Sequence, residues 1–408
     1  MSLVDDISFS QQLHPVDGFR LGTACAGIKK ADRRDLVVME IAEGSQVAGV
    51  FTRNAFCAAP VQVAKEYIGK AAPRYFLINT GNANAGTGEQ GLRDAYLCCE
   101  SLADKLGCSV EEVLPFSTGV IGEPLPTDAI VNGLQSAIDA LSPDGWDDAS
   151  FGIMTTDTRP KALSVQSEVD GKLITVTGIS KGAGMIMPNM ATMLAYIATD
   201  ASIDRALLQQ CLSEVTEESF NRVTVDGDTS TNDACMLVAT GKSGMSPVVD
   251  QGDERYGVLR AMIAKVAVGL AQAIVRDGEG ATKFISIEVE GGRDKQECHQ
   301  IALTVANSPL VKTAFFAGDP NWGRILAAIG RAGVADLDVG KISIHLDNVC
   351  IVDAGGRASS YREELGQEVM SQDDITIRIQ LNRGDSADCV WTCDFSYDYV
   401  KINAEYRT

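Results

Sequence analysis

Three histidines, His14, His299 and His345, are the whole imidazole supply of this 408-residue chain. No HExxH pair joins them and no third ligand stands at metal spacing, so neither a structural nor a catalytic zinc site is expected. No GxSxG elbow supports a serine triad, although triads assemble over long separations and spacing alone leaves that chemistry open. The glycine-rich residues 81–88 lack the Lys-Ser/Thr ending of a phosphate loop, and Gly182-Ala183-Gly184 lacks the third glycine of a dinucleotide fingerprint, so both read as tight turns. Residues 225–233 have the Asp spacing of a calcium loop without its closing Glu, and read as a polar loop. Asp347 and Asp374 flank strand candidates, but paired-carboxylate hydrolysis needs a separation that spacing does not supply. Thr192 stands immediately before the apolar residues 193–198. A threonine hydroxyl becomes a nucleophile only beside a base. From the residues alone, Thr192 is an ordinary threonine at the head of a strand.

Groups of this kind need a scaffold. Residues 36–41 and 75–78 are β-rich runs, and residues 79–88 form a small-residue loop. Leu92, Ala95, Tyr96, Cys99, Leu102, Ala103 and Leu106 then recur at three and four residues, which predicts a helix ending near Gly107. Residues 128–141 predict a second helix on Ile130, Leu134, Ile138 and Leu141. Residues 172–179 alternate like a strand. Glycines and Pro188 argue against a continuous element over 180–192, and residues 193–198 are apolar enough for a buried strand. Helices are expected over 202–220 and 256–275, the second nearly apolar enough to be buried against a sheet. Strands are expected over 283–289, 341–346, 375–381 and 390–395, and the turn at 319–324 leads into a helix through Ile329. Residues 241–253 are the clearest loop or linker. This mixture predicts layered α/β packing, without the regular βα repeat of a barrel.

The charge balance, 35 Lys and Arg against 55 Asp and Glu, is −20, which argues against a broad nucleic-acid surface because phosphate selects clustered cations. Hydrophobic residues at 45% and charged residues at 22% fit a globular chain with a large core rather than a disordered one. Of eleven cysteines only Cys98 and Cys99 are adjacent, and no CxxC occurs. That scatter fits small apolar thiols in a reducing compartment better than disulfides. Residues 1–11 carry two Asp and no Lys or Arg, unlike a secretory signal. No uninterrupted apolar run reaches 18 residues, the nearest candidate, 184–198, being broken by Pro188, Asn189 and Thr192. A cytoplasmic protein with no membrane segment is expected.

Seven blocks carry a more specific pattern: Asn79-Thr80-Gly81-Asn82-Ala83-Asn84-Ala85, Ser117-Thr118-Gly119-Val120-Ile121-Gly122, Thr155-Thr156-Asp157-Thr158, Lys181-Gly182-Ala183-Gly184-Met185-Ile186, Pro188-Asn189-Met190-Ala191-Thr192-Met193-Leu194, Asp277-Gly278-Glu279-Gly280-Ala281-Thr282-Lys283 and Gly318-Asp319-Pro320-Asn321-Trp322-Gly323-Arg324. In these blocks and in their order, which cover essentially the full chain, the sequence resembles the glutamate N-acetyltransferase family, also called ornithine acetyltransferases, of arginine biosynthesis.

The resemblance implies an α-β-β-α sandwich, similar to N-terminal-nucleophile enzymes but distinct in topology. It implies a proenzyme that cuts itself between Ala191 and Thr192 into an α chain, 1–191, and a β chain, 192–408, commonly assembled as α2β2. Thr192 then matches the acyl nucleophile, with its own freed amine as base. Thr118 and Gly119 match the oxyanion-stabilising pair, and Thr118→Ala is expected to be a sharper probe than Gly119→Ala, which leaves the amide in place. Thr158, Lys181, Thr192, Glu279, Asn403 and Thr408 match the substrate contacts. Lys181 is expected to face an amino-acid carboxylate and Glu279 an ammonium group, with Asn403 and Thr408 adding directional hydrogen bonds. The implied reaction passes acetyl from N2-acetyl-L-ornithine through Thr192 to L-glutamate, releasing L-ornithine. It needs no metal or organic cofactor, and acetyl-CoA is a further donor for some members. A self-processing amidohydrolase or aminopeptidase using the same threonine, with water as acyl acceptor, is the enzymatic alternative, and an uncut metabolite sensor the non-enzymatic one. The 319–324 block is expected chiefly to form a structural turn.

Overall fold

The computed structural model describes residues 12–187 and 193–405. They fall into two units, one drawn from Met1–Gly182, Pro188–Asn221 and Thr229–Ile274, the other from Ala183–Met187, Arg222–Asp228 and Val275–Thr408.

The first unit holds strands β1 (Phe19–Ala24), β2 (Leu36–Ile41), β3 (Gln46–Phe51), β4 (Tyr75–Asn82), β5 (Val113–Val120), β6 (Lys161–Val169), β7 (Lys172–Lys181), β8 (Leu194–Thr199) and β9 (Ala234–Ala239). Its helices are α1 (Ala59–Tyr67), α2 (Gly88–Leu106), α3 (Thr127–Asp139), α4 (Trp146–Gly152), α5 (Arg205–Glu218) and α6 (Glu254–Arg276). One sheet runs β1-β2-β4-β5 and a second β3-β9-β8-β7-β6. The sheets pack face to face through one core, in which Phe76 of β4 and Phe116 of β5 each lie within 6 Å, ring centre to ring centre, of Tyr196 on β8 (5.9 and 5.4 Å). Helices α2 and α3 cover the outer face of the first sheet. Helix α5 lies against the second, where Gln209 bonds both the N–H and the carbonyl of Gly49 and so occupies the edge strand β3. Helix α6 packs on β7 at Gly178, where a Cβ would come 2.9 Å from Val266 and 3.1 Å from Leu270. The result is the expected α-β-β-α layering.

The second unit holds strands β10 (Phe284–Gly292), β11 (Ser343–Leu346), β12 (Val349–Asp353), β13 (Gly356–Arg357), β14 (Asp374–Gln380) and β15 (Ser386–Cys393) in the order β13-β12-β11-β14-β10-β15. Helices α7 (Lys295–Ala306), α8 (Pro309–Phe316), α9 (Trp322–Gly330), α10 (Glu363–Met370) and α11 (Tyr397–Ala404) complete it. Its core joins Ile285, Ile287 and Val289 of β10 with Ile301 and Val305 of α7 and Ile325 and Ile329 of α9.

Several expectations change in detail. Strand β4 continues four residues past Ile78, because β5 beside it keeps supplying a parallel partner through Asn79, Thr80 and Gly81. Strand β7 does not alternate: its last eight residues are all buried, since one face meets the opposite sheet and the other meets α6. Residues 241–253 form a loop inside the first unit, whereas the boundary between units falls within α6. Among the described helices α6 is long and apolar enough to cross a membrane, although charges interrupt it and so no unbroken apolar run marks it in the sequence. Most of its apolar window is buried in the protein. Cys298 and His299 belong to helix α7, which the sequence reading missed. All eleven cysteines are free.

Candidate active site

The parallel pairing of β4 with β5 sets Thr80 beside Thr118 and Gly81 beside Gly119, then shifts register at Asn82. Gly119 has φ 135° and Gly81 φ 99°, both in the region that favours glycine. A Cβ on Gly119 would stand 2.3 Å from the Gly81 carbonyl carbon and 2.6 Å from the Asn82 nitrogen, so the two backbones approach as only glycine permits. Side-chain amides brace this bulge. Asn79 Nδ2 donates to the Asn82 carbonyl at 2.9 Å, while Asn232 Nδ2 donates to the carbonyls of Ala83 (2.5 Å) and Ser117 (2.9 Å). Ser117 Oγ donates to Asn79 Oδ1 at 2.5 Å. The peptide linking Thr118 to Gly119 is thereby held before any ligand arrives, which is what a preorganised donor requires.

Lys181 closes β7 and is 8% exposed; its Nζ donates to Thr118 Oγ at 3.3 Å. Behind it, the Asp157 carboxylate accepts from Lys161 Nζ (2.6 Å), the Gly182 N–H (2.7 Å) and the Thr155 N–H (2.8 Å). Burial alone would raise the Asp157 pKa, but the Lys181 and Lys161 cations outweigh it and hold the carboxyl well below the usual range. Thr158, the next residue, is exposed on the loop before β6.

A second carboxyl lies one strand further. Leu194, the first residue of β8, pairs with Lys181 on one side and Ala234 on the other, and the Ala234 N–H donates to the Met193 carbonyl at 3.0 Å. Asp233, just before β9, is 3% exposed, and its Oδ2 has no hydrogen-bond partner among the described residues. Burial pushes its pKa well up, against the opposing effects of a Ser230 hydrogen bond and the Lys181 charge. The chain therefore enters β8 between a strand ending in a buried lysine and one preceded by a buried carboxyl. Ala191 and Thr192 lie outside the described residues, as does Thr408.

In the second unit Glu279 is buried at the turn between α6 and β10, with its N–H on the Ala183 carbonyl (2.8 Å). Its carboxylate accepts from Asn403 Nδ2 of α11 at 2.8 Å. A Cβ on Gly184 would come within 2.4 Å of that carboxylate, so the 183–187 segment is fitted around Glu279. Asp226 ties down the same segment, accepting from the N–H groups of Met185 (2.6 Å) and Ile186 (2.9 Å). The sequence reading left Asp226 in a generic polar loop; its role is to bond backbone.

Thus Thr118, Gly119 and Lys181 come together on the first unit, and Glu279 with Asn403 on the second. Asp157 and Asp233 were missed as site residues. Asp157 had a signal in the Thr155–Thr158 block, whereas nothing local marks Asp233 as buried. Asn321 Oδ1 caps α9 by accepting from the Arg324 N–H at 3.1 Å, and Arg324 Nη1 donates to the Leu310 carbonyl at 2.8 Å, so this block is the structural turn expected. His299 is half-buried beside the buried Arg222, with its Nδ1 3.0 Å from Asp388 and 2.8 Å from Arg222 Nη1. No group of three or more His, Cys, Asp or Glu suited to a metal occurs among the described residues.

The profile of the ArgJ family matches residues 20–408. The "Arginine biosynthesis bifunctional protein ArgJ" of Pseudomonas fluorescens (strain Pf0-1) is 59% identical over 396 residues, covering 97% of this chain and 98% of that protein. The protein of the same name from Psychrobacter arcticus is 55% identical over 406 residues, covering 99% and 100%. Among solved structures, the arginine biosynthesis bifunctional protein of Bacillus halodurans is 37% identical, covering 51% of this chain and 97% of that one, with a TM-score of 0.49.

Proposed function

The chain belongs to the ArgJ family, and from that premise we propose that it is a self-processing acetyltransferase of arginine synthesis. It moves acetyl from N2-acetyl-L-ornithine to L-glutamate and also makes N-acetyl-L-glutamate from acetyl-CoA, the second activity resting on the bifunctional name of its relatives. No further cofactor takes part.

The precursor is cut when Thr192 Oγ attacks the Ala191 carbonyl, the C–N bond breaks, and the hydroxyl proton passes to the departing nitrogen, which becomes a free amine. Water then hydrolyses the ester, leaving 1–191 and 192–408. A terminal amine has a reference pKa of about 7.7 to 8.0, against about 10.4 for lysine, so a useful fraction is neutral near physiological pH and can act as base. It takes the Thr192 hydroxyl proton as Oγ attacks the acetyl carbonyl, and returns it to the departing ornithine amine. The acetyl-enzyme then meets the glutamate amine, and the same steps run in reverse. Charge develops on the acetyl oxygen, where the Thr118 hydroxyl and the Gly119 N–H donate. Lys181 and Glu279 take the carboxylate and ammonium ends of the amino acids, and Thr158, Asn403 and Thr408 add hydrogen bonds. The two chains remain an αβ unit, further paired as α2β2, in the cytoplasm.

The observation that carries this reading is the Thr118–Gly119 bulge with Lys181 against it, where Lys181 pairs with Leu194, the first residue of β8 and two residues after Thr192. Intact mass should give two chains that break at 191/192. Purified enzyme should form N-acetylglutamate from glutamate with either donor, and Thr192→Ala should remain uncut and inactive. Acetate release without N-acetylglutamate would replace the transferase with a hydrolase, and activity with acetyl-ornithine alone would leave a single-function enzyme.

A further inference from the structure

We propose that Asp157 is a positioning residue that acts through Lys181 to fix the direction in which the Thr118 hydroxyl donates, an inference that rests on the acetyltransferase reading above. A hydroxyl has one hydrogen and two lone pairs, and when nothing constrains it the hydrogen goes to the nearest acceptor. Here Lys181 Nζ lies 3.3 Å from Thr118 Oγ. An ammonium only donates, so the threonine oxygen must accept at that contact, and its own hydrogen is turned away from the lysine. One geometry then supplies a donor for the acetyl oxygen, and the rotation is set before charge develops.

This arrangement needs a lysine that stays charged and stays in place, although burial favours its neutral form. Asp157 contributes to both. Its carboxylate is one strand end away and its charge is coupled to Lys181, as the depression of its own pKa by that lysine requires; the coupling is reciprocal. It also accepts the N–H of Gly182, the residue immediately after Lys181, which pins the backbone where β7 ends. The carboxylate is in turn held by Lys161, and both side chains of that pair are fully enclosed, 0% and 1% exposed. Charged groups near Lys181 include Asp157 on the loop before β6, Lys161 on β6 and Asp233 before β9, while Thr118 faces it from β5. Asp157 is the carboxylate of this set that is held ionised, since burial drives Asp233 toward its neutral form.

The test is Asp157→Asn, which keeps the shape and the ability to accept from Gly182 while removing the charge. Rates of N-acetylglutamate formation from N2-acetyl-L-ornithine and glutamate are measured from pH 6 to 10 on wild type and variant. The expected result is a fall in kcat of about tenfold at pH 8, a KM for acetyl-ornithine within about threefold of wild type, and a basic limb of kcat moved down by about one pH unit, because the lysine has lost the charge that holds its proton. If this variant does not fold, Lys181→Arg carries the same question: arginine does not titrate in this range, so the basic limb should disappear. A superimposable pH profile with kcat within twofold overturns the proposal, as does a raised KM with unchanged kcat, or a basic limb that persists unmoved in Lys181→Arg. Failure of the wild-type enzyme to transfer acetyl at all would instead remove the functional reading beneath it.

Discussion

Asp200 shows how a single enclosed carboxyl writes itself into the stability of this protein. It follows β8, accepts from the Thr175 N–H at 3.0 Å, and is 6% exposed. Burial, with a smaller repulsion from Asp17, pushes its pKa from 3.8 up to about 6, against the Thr175 bond. Between those two values the folded protein keeps a proton that the unfolded chain has released, so stability falls as pH rises through that window and the full penalty is present above about pH 6. Asp200→Asn should therefore raise Tm relative to wild type at pH 8, and the gain should vanish below pH 4. A gain independent of pH would show that the carboxyl does not titrate as described. Thr118→Ala belongs to the same scale: on the proposed mechanism it removes one preorganised donor and should cut kcat about 100-fold, roughly 3 kcal/mol, with Tm nearly unchanged. These residues also mark the limit of sequence reading. Thr118, Lys181 and Glu279 stand in motifs and were legible by resemblance. Asp157 stands in a motif too, but without a role assigned to it, and Asp200 and Asp233 stand in none, because the chemistry of all three comes from burial by strands distant in sequence.

Gly119 shows what the supporting elements demand. The sequence reading takes Thr118→Ala as the sharper probe because Gly119→Ala leaves the amide in place, and the β4–β5 bulge adds a separate structural cost to the glycine change. An added Cβ would meet the Gly81 carbonyl carbon at 2.3 Å and would have to adopt φ 135°. Gly119→Ala should thus lower soluble yield and Tm as well as activity, while Thr118→Ala alters activity alone; equal Tm values for the two would contradict the bulge as described. A gentler comparison is Gly107→Ala at the end of α2, where φ is 68° and space is open, so only about 1 kcal/mol should be lost in denaturant unfolding. The two glycines were not equally readable. The end of α2 follows from a local pattern, an apolar period of three and four closed by glycine. The need at Gly119 arises from a neighbouring strand that begins 38 residues earlier, at Tyr75 against Val113. Strand β7 was misjudged for the same reason: its period was read from one chain segment, but its burial is set by partners on both faces.

At the scale of the molecule, the order β3-β9-β8-β7-β6 interleaves pieces from either side of residue 192. Strands β3, β6 and β7 precede it; β8 and β9 follow. The proposed products 1–191 and 192–408 thus do not correspond to the compact units, and they share one sheet and the Phe76, Phe116 and Tyr196 ring cluster. Processed enzyme should run as one species on size exclusion in native buffer and release two chains only in denaturant. Free 192–408 in native buffer would contradict the shared sheet.

Braided strands of this kind are poorly suited to being made apart and joined afterwards, since each half alone would present unpaired backbone edges and a bared apolar face to water and to its own copies. The polypeptide has to be born whole. On the proposed chemistry, scission then works as an inspection: only a molecule whose weave is finished can arm itself, and a faulty one stays inert.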